Sequence, residues 1–262
     1  MKKIALTSLL TIVAASAAHA GVHVMDANPL YMPRGGHFYS ETSAGSSTDN
    51  AANWKVSENF GAGIIDRLAL NVKTSFAEQD SFDVFGFQDF SLGATFRIIG
   101  RGNWKLDVLG SYNVDGWLYA YDEATDTSSF MDKELLNYTW RAGVRGGYTN
   151  ARFTVAGHLM FDYENSESFN WGEDGNHRIL LGVDGQLLIT RDWNFVGGLE
   201  YSSLVDEGEK NTGKLKGYFG GNYNITTSSY VGAYVAGEMS HESGAWKWVN
   251  GMGFGVKFGV DF

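Results

Sequence analysis

Two sets of residues in this chain of 262 could do chemistry. The first is Met239-Ser240-His241-Glu242-Ser243, where a histidine stands two positions from a serine. That spacing suits a hydroxyl nucleophile beside an imidazole base. No third residue presents itself to orient His241, and a solvated histidine and serine in a polar loop is the ordinary reading. The second set is a series of charged residues recurring at even spacing inside alternating apolar and polar runs. Arg67, Lys73, Arg97, Lys105, Arg141 and Arg145 form one group, with Asp89, Asp107 and Asp115 among them. His158, Asp162, Asp184, Glu200 and Glu238 form the other, with Arg178, Lys214 and Lys216. A lining that leans basic on one wall and acidic on the other would select and orient polar solutes. Arg97, Lys105, Arg141, Arg145, Asp184, Glu200, Lys216 and Glu238 are therefore expected to line a pore. Its constriction would lie between Arg97, Arg141 and Arg145 on one side and Asp184, Glu200 and Glu238 on the other. The competing expectation is a closed interior in which the same groups pair with one another.

Other chemistries find little support. The chain has no cysteine, which excludes disulfides and thiolate metal sites. His23, His37 and His158 have no metal-ligand spacing, and no glycine-rich phosphate loop precedes a helix. No cofactor or metal is expected. A net charge of −10 argues against nucleic acid as a partner. Acidic residues gather in the long polar stretches, for example Asp122, Glu123, Asp126, Glu173, Asp174 and Glu207, where only Lys133 and Lys210 oppose them. Such carboxylates keep a protein soluble, or bind divalent cations that bridge to lipopolysaccharide phosphates.

The elements that must position these groups are strands. Apolar and polar residues alternate with a period of two over 37–45, 54–64, 67–77, 82–98, 104–121, 133–148, 151–164, 177–189, 193–204, 213–225, 229–240 and 246–262. Tight turns (Ile65-Asp66, 99–103, Thr149-Asn150, 190–192 and 226–228) alternate with long polar connections. Aromatic residues (Trp104, Tyr148, Phe153, Trp193, Tyr223, Phe262) stand beside the tight turns, as in an interfacial girdle. Pro29 and Pro33 are the only prolines, and both precede the first strand, which suits a chain whose N–H groups belong to ladders. The stretch 37–45 has the weakest apolar row, so ten strands is the alternative to twelve. Glu58 is discordant. Its parity with Val56 and Phe60 points it at the apolar face unless a bulge near Asn53 or an interfacial depth intervenes.

Residues 246–262 carry the clearest alternation. Trp246, Trp248, Met252, Phe254, Val256, Phe258, Val260 and Phe262 share one face, broken only by Asn250, and glycines, lysines and an aspartate fill most of the other. Residues 1–20 read as a secretory signal peptide, with Lys2 and Lys3, an apolar stretch and the small-x-small site Ala18-His19-Ala20. On these residues the chain resembles Gram-negative outer-membrane β-barrels of the porin-like class. The resemblance implies an all-β, transmembrane, antiparallel up-and-down barrel over 37–262, with both termini periplasmic and residues 21–36 forming a short periplasmic or plug segment. It also implies outer-membrane lipid and lipopolysaccharide as surroundings, and insertion by the barrel assembly machinery through a signal containing Phe258, Val260 and Phe262. A narrow passive channel for small hydrophilic or charged solutes follows as the first expected function. A closed barrel acting through acidic loops is the second. Outer-membrane phospholipase A and the lipid A deacylase use His-x-Ser-Asn, but Gly244 stands where that asparagine would be, so His241 and Ser243 remain a remote hydrolase alternative. The paired aspartates of omptin proteases are lacking, and no room exists for an autotransporter passenger.

Overall fold

The structure, a computed structural model, describes residues 28–47, 53–79, 82–130, 136–165, 175–205, 213–242 and 245–262. The expected signal peptide, residues 21–27, Ser243 and most of the loop acids lie outside them. Among the described residues thirteen strands follow one another: β1 (Phe38–Ser47), β2 (Lys55–Ile65), β3 (Leu68–Gln79), β4 (Val84–Ile99), β5 (Trp104–Asp122), β6 (Thr127–Phe130), β7 (Leu136–Thr149), β8 (Phe153–Asn165), β9 (Asn176–Leu188), β10 (Trp193–Leu204), β11 (Lys214–Asn224), β12 (Ser229–Glu242) and β13 (Ala245–Asp261). Twelve of them form a closed antiparallel ring, with β5 paired to both β4 and β7 and β13 paired to β1. The ring is sealed where Phe38 and Phe262 exchange both backbone hydrogen bonds, at 2.7 and 2.8 Å. Closure removes the sheet edges that a lipid environment cannot satisfy. No helix among the described residues is long and apolar enough to cross a membrane.

β6 is the strand that periodicity did not reveal. It folds back on the far end of β5, pairing Tyr119 with Phe130 and Asp122 with Thr127, and extends that hairpin beyond the ring. The sequence places these residues inside a long polar loop, and three small polar residues followed by Phe130 carry no usable alternation.

The tight turns, Phe38 and Phe262 all lie at one end of the barrel. Their chemistry is local. Asn150 Oδ1 accepts the N–H groups of Arg152 and Phe153 at 2.8 and 2.9 Å, and Thr190 Oγ1 accepts those of Asp192 and Trp193 at 3.3 and 3.0 Å. Trp104 packs on Tyr148 with centroids 5.2 Å apart, Trp193 on Tyr223 at 5.0 Å and Phe38 on Phe262 at 6.1 Å, which makes an aromatic collar at this end.

Register explains two irregularities. In β13 the apolar row survives the interruption at Asn250, because two residues bulge out between the pairs Gly237–Met252 and Glu238–Val249. Gly251 takes φ 61° there, a conformation that favours glycine, and an insertion of two leaves the side-chain parity unchanged. The pairing of β1 with β2 runs unbroken from Phe38–Ala62 to Gly45–Lys55. No bulge therefore rescues Glu58. It remains on the outward face, between Val56 and Phe60, each 42% exposed.

Away from the polar outward residues of β1 to β3, the described outer surface is a largely apolar sleeve, and Leu181, Leu199, Phe219 and Val256 stand open. Inside, several inward glycines are not empty space. A Cβ on Gly255 would meet the Tyr234 ring at 2.7 Å, one on Gly198 would meet Tyr218 at 2.6 Å, and one on Gly182 would meet His158 at 2.3 Å. Rings from neighbouring strands lie over these glycines, so the lumen is narrower than its glycine content suggests.

Candidate functional site

The inward charges form a belt of neighbours. On the β4–β5–β7 wall, Asp107 is fully buried and takes both Arg97 and Arg145. Arg97 Nε reaches Asp107 Oδ1 at 2.7 Å, and Arg145 Nη2 reaches Oδ2 at 2.8 Å. One carboxylate thus holds two guanidiniums through charge-assisted bonds. Next along the ring, Arg141 binds Asp162 of β8 with two parallel bonds of 2.7 and 2.6 Å. His158 of β8 then stands between Asp184 of β9 and Glu200 of β10, each 3.1 Å from a different ring nitrogen. Both contacts are hydrogen bonds only when the ring carries two N–H groups. Tyr218 of β11 donates to the other oxygen of Asp184 at 3.0 Å. Lys216 and Lys214 approach the two oxygens of Glu238 of β12 at 3.5 and 3.7 Å.

Seven of the eight residues expected to line a pore therefore sit in this belt. The structure brings Arg97 and Arg145 together on Asp107, Asp184 and Glu200 together on His158, and Lys216 onto Glu238, while Arg141 pairs with Asp162. Lys105 stands apart. Its ammonium caps the turn after β4 by donating to the carbonyls of Gly100 and Gly102, each at 3.0 Å. The bonds run between strands one or two places apart, so most charge is balanced along the wall and not across the lumen. Asp107, Asp162 and His158 hold the belt together as much as the residues singled out for the pore. Sequence parity marks all three as inward, but nothing in it tells which arginine each acid would take.

A second group of residues gives the belt a floor. The segment 28–37 enters the turn end of the barrel ahead of β1. Arg97 Nη2 donates to the Leu30 carbonyl at 2.7 Å and Arg145 Nη2 to the Tyr31 carbonyl at 3.4 Å. Leu30 is 3% exposed. Tyr31 packs edge-on against Tyr39 with centroids 5.8 Å apart, and its hydroxyl is buried beside the Asp261 carboxylate. Burial first, and then that carboxylate, push the Tyr31 phenol well above its ordinary value. The segment leaves the lumen across Gly63. A Cβ there would lie 1.9 Å from the Arg34 carbonyl oxygen, and Gly36 donates to the Gly63 carbonyl at 2.8 Å. These anchors use backbone carbonyls, which carry no side-chain signature, so sequence reasoning could place the segment near the mouth but not find the latch.

Between the segment and the wall lies a cavity of about 1010 Å³. Arg34, Arg67, Arg97, Arg101, Lys105 and Arg191 line it, against Asp66 and Asp261. The turn-end vestibule is basic, whereas the described acids Asp83, Asp122, Glu123 and Asp126 lie at the opposite end.

Solved porins share this architecture. The chain is similar in fold to the KdgM porin, solved in complex with disordered oligogalacturonate, with a TM-score of 0.54 at 10% identity, covering 86% of this chain and 99% of that one. It is also similar to the NanC porin, with a TM-score of 0.52 at 10% identity, covering 86% of this chain and 98% of the other. No protein-family model and no curated protein sequence matches the chain. The likeness is one of fold, a closed antiparallel β-barrel like that of these porins, and the residues of the lumen are this chain's own.

His241 lies on the outward row of β12, where its ring packs on Trp246 with centroids 5.2 Å apart. Ser243 lies outside the described residues. Among the described residues no group of three His, Cys, Asp or Glu side chains comes together in a metal-holding arrangement.

Proposed function

We propose that this protein is an outer-membrane channel that passes small hydrophilic solutes, with anions favoured at its turn-end vestibule. The observation that carries this reading is the inward belt from Arg97 to Glu238, standing above a basic cavity in a twelve-stranded ring. A wall of paired charges stays wet and offers polar solutes hydrogen bonds without trapping them, since each charge already has a partner. The excess of arginine and lysine sits at the turn end, where it raises the local concentration of anions. In this reading the turn end and both chain termini face the periplasm, the acidic loops face outward toward lipopolysaccharide, and the barrel assembly machinery recognises the row ending at Phe258, Val260 and Phe262.

One observation favours a second reading, a closed barrel acting through its loops. Residues 28–37 occupy the mouth and are bound there by two arginines. Purified protein in planar bilayers separates the two. A channel gives discrete conductance steps and, in a salt gradient, a reversal potential of the sign for anion preference. Flat traces from protein shown to be folded by its gel mobility before and after heating would leave only the closed barrel.

A further inference from the structure

We propose that the outward face of β1, β2 and β3 is where a second copy of this chain docks within the membrane. The face is unlike the rest of the sleeve. Among the described outward residues between the turn-end collar and Trp54, Glu58 is the only charged side chain. It lies about 18 Å from the turn end of β2, taking about 3.4 Å per residue and a strand tilt of about 40°, and so falls inside an apolar band about 25 Å tall. Ser40 Oγ donates to Glu58 Oε1 and Thr42 Oγ1 to Oε2, each at 2.5 Å. A carboxylate offers about four acceptor positions, so these two donors leave it half satisfied. Lipid chains supply no further donors.

The occupant is suggested by the line of Cα partners. Thr42, Glu58 and Thr74 stand opposite one another across β1, β2 and β3, so a third hydroxyl lies beside the carboxylate at nearly the same depth. Two copies inserted the same way are related by rotation about the membrane normal, and each residue then meets its counterpart's depth. With a two-fold axis between β2 and β3, Thr74 of each copy reaches Glu58 of the other. Donor and acceptor both belong to this one face, which makes it complementary to itself. Beside the axis Val56, Phe60, Val72 and Phe76 supply apolar contact area, and Ser40, Thr42, Ala44 and Ser46 give β1 a low flanking row between the stacked Phe38 and Phe60 (6.0 Å) and the Trp54–Phe254 pair (6.2 Å). The described outward band holds no lysine or arginine, so the match between copies is hydroxyl to carboxylate and not an ion pair.

The chain has no cysteine, so single cysteines report contacts without background. Val72→Cys places a thiol beside the proposed axis while leaving Glu58 and its hydroxyls in place. Leu181→Cys places one on β9, across the ring from β2. The full chain, expressed in outer membranes, is treated with a short bis-maleimide. Val72→Cys is expected to give a crosslinked dimer, Leu181→Cys none, and adding Glu58→Leu to Val72→Cys to lower the yield at least fivefold. Gel mobility before and after heating shows that each variant is folded, and Glu58→Gln replaces Glu58→Leu if the latter is not. Equal yields from Val72→Cys and Leu181→Cys, an unchanged yield after loss of the carboxylate, or a Val72→Cys crosslink to a different protein would each overturn the proposal.

Discussion

Arg97 donates to the carbonyl of Leu30 at 2.7 Å while its other bonds hold Asp107, so one guanidinium joins the barrel wall to the segment in its mouth. The wall and the floor of the lumen therefore share a residue, and a change in either is felt in both.

If that join narrows the passage, loosening it widens the passage. Arg97→Ala leaves Asp107 paired with Arg145 and removes the stronger anchor of the segment. Single-channel conductance is expected to rise, and residues 28–37 to become cleavable by protease added at the turn end. Unchanged conductance and unchanged cleavage would show that the segment does not limit flow.

Asp107 is the reverse case. Asp107→Asn removes the charge shared by Arg97 and Arg145, whose side chains are only 13% and 19% exposed. Two guanidiniums then face each other without a counter-charge, and breaking a buried pair in this way costs about 3–5 kcal/mol. Urea unfolding in lipid vesicles should show a loss of that order. A loss below about 1 kcal/mol, the range of an exposed pair, would mean that water reaches the cluster freely.

His158 separates two acids. His158→Phe leaves Asp184 and Glu200 facing the lumen, with Tyr218 still donating to Asp184. Permeability should shift toward cations, moving the reversal potential in a salt gradient by at least about 10 mV. A pore whose selectivity is set only at the vestibule would show no shift.

The Tyr31 phenol gives a pH dependence. Its folded value is raised by burial and by Asp261, whereas the unfolded value is about 10. The stabilising contribution is therefore fully present below about pH 10 and is lost as pH rises above it. Thermal unfolding followed from pH 8 to pH 11 should fall more steeply in wild type than in Tyr31→Phe. Parallel curves would place Tyr31 in water.

Much of the barrel was legible because parity is a strong signal where one face must be apolar. The even-numbered row from Trp104 to Val114 and the row from Trp246 to Phe262 both face outward with the residues expected. Legibility ended at bulges and at backbone contacts. Phe90 still pairs with Val114, but beyond the irregularity at Asp89 (φ 48°) Phe87 pairs with Tyr119, and the aromatic row changes from even to odd positions. Parity also gave the belt's inward residues without its partners, because which arginine an acid takes depends on shear between strands. Glu58 contradicts its own parity row, and the structure answers it with Ser40 and Thr42, the same residues that give 37–45 the weakest apolar row.

The bond between Phe38 and Phe262 joins the described strands that lie farthest apart along the chain. Bringing such distant partners together costs the most chain entropy and comes late. Until then the sheet is a curled ribbon with two raw edges, β1 and β13, each able to recruit a stranger's strand. The newborn molecule is thus most vulnerable just before it is finished, and it needs an escort to cover those edges until the seam shuts.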